Sequence, residues 1–475
     1  MIVLFAAFVS CTIVWLIVAV VRGWISFGWM VCPTITAGAV ILFGSVFGRD
    51  FASINVGPLP LTLDRLLWGW MIIQFVALIF QRRIQPLPIS GIDVFVIGLM
   101  IVLTLSTFGH DFGYRDNLPL TRLLFLNFLP FGIYFVTRHS PISERQLRWI
   151  LYGCVVFAVY LSATAIAEWR NWPQFVFPAY IINSTFVEFL GRARGPFLNP
   201  IVCGIFQTAG IVAALLLWPQ FSNRGRIFIG ILLPLFWVGV FATFTRSIWL
   251  SLVISVGLTL WLTANVRQRG ALLVTGAIAA ALFALLFADN LNAFKRDKYV
   301  TESEMAESVQ LRPLLAEVAV RMFVDRPIFG HGFGQYTKAK RLYHQQVSDQ
   351  PLKKVLPYMQ HNVVLSYLTE TGLVGLILLL GILGLFLTTT LRLIRSSPAN
   401  SNRRCIAVLG LTTLTSYFIN GMFHDVSIMP MLGSLFYFLL GLTSHLESTS
   451  PRLGAAADAP PIIPAQAQHQ ARRAS

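Results

Sequence analysis

The chain has 475 residues, of which 56% are hydrophobic and only 12% are Asp, Glu, Lys or Arg. Soluble domains carry about 25% charged residues, so this chain has about half the charge that a soluble surface requires. The composition excludes a soluble enzyme, a disordered hub, a fibrous repeat and a disulfide-built secreted module, and it leaves a polytopic membrane protein. The net charge of +16 raises nucleic acid as a partner, and the positions of the charges decide that question.

Apolar runs long enough to cross a membrane recur along most of the chain. A helix needs about 20 predominantly apolar residues to cross the hydrocarbon core. The runs predict an all-α integral membrane protein with about 12–13 transmembrane helices. The first run has no basic start and no small-residue cleavage motif, so we interpret it as a retained span. The predicted spans lie near residues 1–21, 28–47, 61–80, 89–108, 119–137, 147–167, 200–218, 227–243, 247–264, 270–288, 362–391, 405–423 and 428–446.

The basic residues predict the orientation of these spans. One alternating set of loops holds 13 arginines, whereas the short loops of the other set hold only 3. Because short cytoplasmic loops are enriched in Lys and Arg, the first set is predicted to be cytoplasmic. Most of the positive charge is then explained by topology, and nucleic acid loses its support as a partner. The arginine-rich loops lie at residues 82–83, 138–148, 224–226, 267–269 and 392–404.

Two long segments, at about 168–199 and 289–361, fall on the opposite, external side. The second holds 11 Lys or Arg against 8 Asp or Glu, an excess that an anionic ligand or a solvated amphipathic cap would explain. Its residues 305–324 have apolar positions at helical spacing, which predicts an external helix. We therefore divide the chain into a transmembrane bundle, 1–447, which includes both loops, and a disordered cytoplasmic tail, 448–475.

The five cysteines indicate no site. All of them lie within or at the ends of predicted spans, and none belongs to a Cys-x-x-Cys pair. This pattern predicts neither a disulfide framework nor a metal site. We expect small buried packing residues.

Two arginine clusters precede predicted spans on the external side. In residues 191–200, Arg192 and Arg194 stand beside Gly and Pro and suit a phosphate, because a guanidinium donates two parallel hydrogen bonds. An interfacial anchor that snorkels to water is the alternative. In residues 243–247, Arg246 follows Thr245 at a tight turn. A charge facing lipid is costly, so we expect Arg246 to face the bundle interior or a polar cavity and favour a functional role over capping.

Two further clusters come from the large external loop. Residues 321–336 superficially resemble a glycine-rich nucleotide loop, but no strand pattern precedes them and no Gly-Lys-Ser/Thr follows. We interpret Gly330 and Gly332 as a tight return of the loop near the membrane, with Asp325 and Arg326 as a possible local pair. In residues 360–375, His361 lies at the membrane boundary. Its imidazole is suited to take a proton from a sugar hydroxyl at neutral pH, although a lone His is more often structural.

In this order, the four clusters resemble the O-antigen ligase and O-antigen polymerase superfamily of bacterial envelope proteins, over about residues 190–380. The family pattern is Arg-x-x-Gly-x-Phe-x-Asn-Pro, a Thr/Ser-Arg turn, an Arg ahead of Asp-x-Pro-x-x-Gly-x-Gly, and His-Asn-x-x-Leu-x-x-x-x-Glu-x-Gly-x-x-Gly. Two departures are Ile201, where Asn often follows Asn-Pro, and Thr-Arg-Ser in place of Ser-Arg-Gly. The pattern is met by Arg192, Gly195, Phe197, Asn199, Pro200, Thr245, Arg246, Arg312, Asp325, Pro327, Gly330, Gly332, His361, Asn362, Leu365, Glu370, Gly372 and Gly375.

The resemblance implies a glycosyltransferase of the bacterial inner membrane that works on the periplasmic face. Its donor would be a glycan on undecaprenyl diphosphate, and transfer would be inverting, without nucleotide sugar, metal or other cofactor. The acceptor would most readily be a sugar hydroxyl of lipid A–core, in lipopolysaccharide assembly. An O-antigen or exopolysaccharide polymerase that joins lipid-linked repeat units is the alternative. A lipid-linked glycan transporter is an alternative of another class, but transporters tend to place ionisable residues at the midplane and to contain inverted repeats.

The resemblance, together with the residue chemistry, assigns roles to eleven positions. Cations stabilise a diphosphate leaving group as its charge develops. We expect His361, as general base, and Arg246 to be catalytic. We expect four arginines to bind the diphosphate and five other residues to support the site: Arg192, Arg194, Arg312 and Arg321 in the first group, and Asn199, Asn362, Glu370, Gly330 and Gly332 in the second.

Overall fold

The computed structural model describes residues 32–47, 54–56, 59–114, 118–183, 189, 191–265, 269–270, 302–344 and 358–450. This part is helical apart from one short antiparallel strand pair, β1 (Ile54–Val56) and β2 (Leu59–Leu61), in which Ile54 is paired with Leu61. The helices are α1 (Pro33–Phe47), α2 (Leu63–Phe80), α3 (Gly91–Phe108), α4 (Pro119–Arg122), α5 (Leu129–His139), α6 (Glu144–Arg170), α7 (Pro200–Leu217), α8 (Asn223–Phe241), α9 (Arg246–Thr263), α10 (Glu302–Asp325), α11 (Tyr336–His344), α12 (Val363–Ser396), α13 (Asn402–Gly421) and α14 (Pro430–Ser448).

Within the described residues, eight helical segments are long and apolar enough to cross a membrane. This confirms the prediction of an all-helical, multi-pass membrane protein. The predicted spans near 405–423 and 428–446 are also long helices, α13 and α14, although they are not among the eight. The eight are Leu63–Phe80, Gly91–Phe108, Pro119–His139, Glu144–Arg170, Pro200–Gln220, Asn223–Phe241, Arg246–Thr263 and Val363–Ser396.

Some sequence predictions fall outside the described residues. The predicted spans 1–21 and 270–288 lie there, as does the predicted tail from residue 451 onward. The total of 12–13 spans and the side of the N-terminus therefore stay predictions. In the large loop, the helix predicted over 305–324 is present as α10, Glu302–Asp325.

Several helices begin where the sequence supplies a cap. Ser143 precedes α6 in a capping box with Gln146. Before α7 and α12, an Asn side chain accepts hydrogen bonds from the first amide groups of the helix: Asn199 from Ile201 and Val202, and Asn362 from Val364 and Leu365. Such caps satisfy amide groups that have no partner within the helix.

Helix α7 lies at the centre of the bundle, and nearly all its residues are buried. Small residues on α7 allow its neighbours to approach closely. A Cβ at Gly210 would lie 2.1 Å from that of Ala158 on α6, and one at Gly204 would lie 2.4 Å from Ile248 on α9. Close contact between small residues is a common basis of helix association in membranes, where apolar burial gives little preference for helix over lipid.

Two spans depart from regular helix near one end of the bundle. The segment Pro119–His139 contains a π-helical stretch, Leu123–Phe128, between α4 and α5. Helix α12 is broken at Gly372, whose φ of 63° and ψ of −159° are not helical. Such irregularities leave main-chain groups unpaired within the span, and they occur where other protein groups pair with them. The two irregular segments lie beside each other because Arg122, just before the π-helical stretch, forms an ion pair with Glu370 of α12.

Candidate active site

His361 lies exposed at the junction between the large loop and α12. The next residue fixes this junction: Asn362 caps α12 and also donates from its amide to the Met422 carbonyl at 3.2 Å, just after α13. The His361 ring packs edge-on against that of His424, with 6.5 Å between ring centroids. The cap therefore places the predicted base beside a second imidazole.

Asp425, which follows this second imidazole, is a buried carboxylate that the sequence analysis missed. It accepts hydrogen bonds from the hydroxyl groups of Ser366 at 2.7 Å and Ser427 at 2.5 Å, and from the Ser427 amide at 3.1 Å. Only 4% of Asp425 is exposed. The adjacent His424 and Asp425 between two apolar runs were the signal for this position.

Arg246 is the first residue of α9 and is exposed. The buried Arg192 side chain holds the turn that precedes Arg246. The Arg192 guanidinium donates from Nε to the Thr243 carbonyl at 3.1 Å and also bonds the Thr245 hydroxyl. The first two sequence clusters are therefore one structural unit, in which Arg192 supports the turn that presents Arg246.

The structure brings Arg246 and His361 to the same end of the bundle. Five residues after Arg246, Ser251 accepts a hydrogen bond at 3.2 Å from the amide of Asn420, near the end of α13. Asn420 is two residues before Met422, which contacts Asn362. The start of α9 and the start of α12 are thus both joined to the end of α13.

Arg194 lies completely inside the protein. Its guanidinium donates to the Ile181 carbonyl, at 3.2 Å from Nε and 2.8 Å from an Nη, and Nε lies 3.6 Å from the Glu168 carboxylate. That carboxylate also accepts from the main-chain amides of Arg194 and Gly195. A diphosphate would reach this guanidinium only by displacing these groups, so direct binding by Arg194 stays a prediction without geometric support.

Arg312 and Arg321 lie on helix α10 of the large loop, in different surroundings. Arg312 is half-buried, and this burial lowers the pKa of its guanidinium. No hydrogen bond or ion pair joins Arg312 to another described residue. Arg321 forms an ion pair with Glu317, one turn earlier. Arg312 is therefore the α10 cation more available to an anionic ligand.

The glycine loop, residues 327–334, fills the break in α12. The amides of His331 and Gly332 donate to the carbonyls of Thr369 and Glu370, at 2.8 and 3.0 Å. In return, the amides of Leu373 and Val374, just after the break, donate to the carbonyls of Pro327 and Ile328. The loop thus supplies hydrogen-bond partners for the main-chain groups that the break at Gly372 leaves unpaired within the helix. A helix interrupted near a membrane requires such partners.

Glycine is required in this loop by contact and by backbone angle. Gly330 and Gly332 have φ values of 65° and 103°. A Cβ at Gly330 would lie 2.6 Å from the Glu370 carbonyl carbon, and one at Gly332 would lie 2.5 Å from the His110 ring. The predicted local pair of Asp325 and Arg326 is wrong: Asp325 accepts instead from the Tyr343 hydroxyl at 2.6 Å, and no ion pair joins the two within the described chain.

Behind the loop, Arg122 and Glu370 form a buried, two-pronged ion pair, with hydrogen bonds of 3.0 and 3.3 Å. The Arg122 guanidinium also lies over the Phe333 ring, 4.9 Å from its centroid. Sequence analysis named Glu370 but missed Arg122. The signal was present, because a charged residue inside the predicted span 119–137 marks a functional or paired position.

A small pocket opens between the π-helical stretch, the glycine loop and the N-terminal part of α12. Two residues of the pocket wall, Ser366 and Ser427, donate hydrogen bonds to Asp425, so the pocket lies next to this carboxylate. Among the described residues, no group of three His, Cys, Asp or Glu side chains could hold a metal ion. The pocket is lined by Leu103, Asn127, Phe333, Ser366, Tyr367, Glu370, Thr371 and Ser427.

Residues 229–380 match the O-antigen ligase family. This stretch includes Arg246, Arg312, the glycine loop, His361 and Glu370, and so most of the site just described. The chain contains an O-antigen ligase domain. The O-antigen ligase family comprises polyprenyl-linked glycan transferases, and residues 229–380 of this membrane protein are similar to that family. Arg192, Arg194 and Asn199 lie before the matched residues. No curated protein sequence matches the chain.

Proposed function

We propose that the O-antigen ligase domain transfers a glycan from undecaprenyl diphosphate to a sugar hydroxyl of lipid A–core, on the periplasmic face of the bacterial inner membrane. The observation that carries this proposal is the joint position of Arg246 and His361: both are exposed, both lie at one end of the bundle, and both belong to the matched residues. An anion-binding cation and a base at one membrane surface suit a lipid-diphosphate donor and a hydroxyl acceptor.

In the proposed reaction, the acceptor oxygen forms a bond to the anomeric carbon as the bond from that carbon to the diphosphate oxygen breaks. His361 takes the hydroxyl proton, and undecaprenyl diphosphate leaves with the bonding electron pair. Attack opposite the leaving group inverts the anomeric configuration. Arg246 and Arg312 stabilise the charge that develops on the diphosphate, so the reaction requires no nucleotide sugar and no metal.

Other residues are proposed to hold this arrangement in place. Arg192 supports the turn of Arg246, and Arg194 with Glu168 supports the segment that leads into α7. Arg321 contributes positive charge to the external helix near Arg312. Asn199 and Asn362 fix the starts of α7 and α12. Glu370, Gly330 and Gly332 keep the glycine loop against α12.

The orientation of the protein is part of the proposal. The arginine-rich loops at 82–83, 138–148, 224–226 and 392–404 lie at the bundle end opposite Arg246 and His361, and such loops favour the cytoplasmic side. The site then faces the periplasm. The carrier's polyprenyl chain would stay in the bilayer while its diphosphate reaches the arginines at the surface.

The test is transfer by the full chain in lipid nanodiscs, with a glycan on undecaprenyl diphosphate as donor. Lipid A–core, a second carrier-linked glycan and no acceptor are offered separately. We expect transfer to lipid A–core, a loss of at least about 100-fold in kcat/KM for His361→Ala, the scale of general base catalysis, and a comparable loss for Arg246→Ala. Arg392→Ala is the matched control, because Arg392 is an exposed arginine at the other end.

The outcomes separate the parts of the proposal. Product formed only with the second carrier-linked glycan would replace the ligase with a polymerase. Normal transfer by folded His361→Ala would remove the base assignment, and normal transfer by Arg246→Ala would remove the diphosphate role. A strict requirement for Mg²⁺ after treatment with a chelator would contradict the metal-independent chemistry.

A further inference from the structure

An apolar stripe runs along one side of α10 and into the glycine loop. Two of its side chains lie one helical turn apart on α10, and the other two are consecutive residues of the loop. Of these, Val324 is 70% exposed and Phe329 is 69% exposed. The other side of α10 is already packed in a small apolar cluster with Tyr336. A run of exposed apolar side chains indicates a contact surface. The stripe consists of Val320, Val324, Ile328 and Phe329.

The sequence of α12 shows at what depth in the membrane this stripe lies. Between Glu370 and Arg392 the helix has no charged residue, so these 21 residues, 371–391, are the part that crosses the hydrocarbon core. At 1.5 Å per residue the stretch measures about 30 Å, which matches the thickness of that core. The break at Gly372 therefore lies at one boundary of the core, and Arg392 lies at the other.

The glycine loop joins α12 at this boundary. The amide of Leu373 donates to the Pro327 carbonyl at 2.8 Å. Ile328 and Phe329 follow Pro327 directly, so they lie level with the first residues of the stretch that crosses the core. The exposed apolar side chains of that stretch begin at Leu373 and continue at Ile377. The stripe is therefore continuous with the lipid-facing side of a membrane span.

A second span gives the same depth. Helix α3 has no charged residue between Asp93 and Asp111, and its exposed apolar side chains continue to Phe108. The Ser106 hydroxyl, near the end of this stretch, accepts a hydrogen bond from the Phe333 amide of the glycine loop at 2.9 Å. The loop therefore contacts two spans where their apolar stretches end, at the surface of the membrane.

We infer that the apolar stripe is a membrane contact, in which its four side chains pack against the acyl chains of bilayer lipids. In water the stripe would expose apolar surface at a free-energy cost, whereas at the boundary of the core the same surface is buried among acyl chains. This contact is additional to glycan transfer. It holds α10 and the glycine loop at one depth in the membrane, beside the candidate site.

The charged residues near the stripe are compatible with this contact. Arg326 lies between the two halves of the stripe and is exposed, and its side chain is long enough to place its charge among the lipid head groups. Asp325 also lies between the halves, but its carboxylate accepts a hydrogen bond from the Tyr343 hydroxyl of α11. No acidic side chain belongs to the stripe itself.

Photo-cross-linking of the full chain tests the contact. The photoreactive residue p-benzoylphenylalanine replaces Val324 or Phe329 in separate variants, and each variant is reconstituted in phosphatidylcholine nanodiscs. Ile377 on α12 is the position known to be exposed on a span. Lys338 is the matched exposed position of the large loop, because its ammonium group forms an exposed ion pair with Asp111 at 3.0 Å. Mass spectrometry identifies each adduct. We expect phosphatidylcholine adducts at positions 324 and 329, in yields close to that at position 377 and well above that at position 338.

A second measurement uses no photoreactive residue. Hydrogen exchange of the His331 and Gly332 amides, which donate to α12, reports how firmly the glycine loop is docked. Phe329→Ser removes a large apolar contact with lipid and should speed this exchange by about tenfold in nanodiscs. Phe329→Trp should restore slow exchange, because Trp is favoured at membrane boundaries.

Four results would overturn the membrane contact. The first is the absence of lipid adducts at positions 324 and 329 when position 377 gives them. The second is adducts only with the chain itself or with a second copy, and the third is equal exchange in wild type and Phe329→Ser. The fourth is an adduct with the mass of a polyprenyl carrier retained through purification, which would make the stripe a carrier site. Failure of the proposed function would appear separately, as absence of product in the transfer assay.

Discussion

The segment Pro119–His139 carries a buried arginine near each end, and the two are held differently. At the end away from His361, Arg138 donates from Nε to Asp93, which lies 2.7 Å away at its nearest oxygen, from one Nη to Ser444 and from the other to the Pro88 carbonyl. Asp93 in turn accepts from the Tyr134 hydroxyl at 2.6 Å. All three nitrogen atoms of the Arg138 guanidinium have a hydrogen-bond partner. The network links α5 to α3 and α14 at that end of the bundle.

At the other end, Arg122 is bound by both oxygens of Glu370, but its Nε has no hydrogen-bond partner among the described residues. The π-helical stretch begins at the next residue, and the pocket lies against the pair. A buried polar atom without a partner calls for an explanation. From this comparison we predict that the Arg138 network is structural and that the Arg122–Glu370 pair positions the residues of the candidate site.

The largest expected effects come from replacing one residue of each ion pair. Arg138→Met and Arg122→Met should each destabilise the protein by about 3–5 kcal/mol, because each leaves a buried carboxylate without its cation. Thermal or SDS-induced unfolding of the purified variants measures this loss. Equal stability of wild type and both variants would show that neither pair is buried as described.

Neutral double variants then separate structure from function. Arg138→Met with Asp93→Asn and Arg122→Met with Glu370→Gln each remove both charges and keep an amide oxygen as acceptor. We expect both to recover most of the lost stability, since a buried pair contributes little over neutral groups. Glycan transfer should be near normal in the first and reduced at least about tenfold in the second. Equal activity in the two folded variants would contradict the contrast between the two ends.

The two ends also differ in their main-chain contacts. At the end near His361, main-chain contacts between the glycine loop and α12 hold the structure together. A Cβ at Gly372 would lie 2.4 Å from the Ile328 carbonyl oxygen, at a φ of 63°. Gly372→Ala should therefore cost at least about 1–3 kcal/mol from backbone strain alone, and it should displace the glycine loop. The control is Gly384→Ala on the same helix, where the added Cβ meets nothing within 4 Å. Protease sensitivity of the large loop, raised in the first variant only, checks the displacement.

The sequence predicted the spans better than it predicted the site. The run 61–80 became Leu63–Phe80 and the run 89–108 became Gly91–Phe108, because the length of an apolar run is a local property of the sequence. The pair of Arg122 and Glu370 joins residues 248 positions apart, and no local pattern encodes such a contact. Arg194 and Arg246 both looked like phosphate ligands. Only tertiary structure gives one of them a buried carboxylate and leaves the other exposed.

The smallest expected effect concerns the pH dependence of stability near the glycine loop. His331 is buried, and burial lowers its pKa below the ordinary value of 6.5, although its hydrogen-bonding contact with the Met322 carbonyl opposes this shift. Nearby Arg326 also lowers the pKa, and Asp325 raises it. The folded state thus binds this proton less readily than the unfolded chain. The stability that neutral His331 contributes is complete above about pH 6.5 and is lost as pH falls toward the folded pKa.

His331→Gln should therefore flatten the decline in unfolding midpoint between about pH 7 and pH 5, relative to wild type. Tyr343→Phe is the control. It removes the hydroxyl that lies 3.2 Å from Nε2 of His331 but leaves the imidazole to titrate, so its decline should remain. An identical decline in wild type and His331→Gln would assign the acid sensitivity to other groups. A flattened decline would show that the site end of the molecule contains a titrating group whose burial destabilises it in acid.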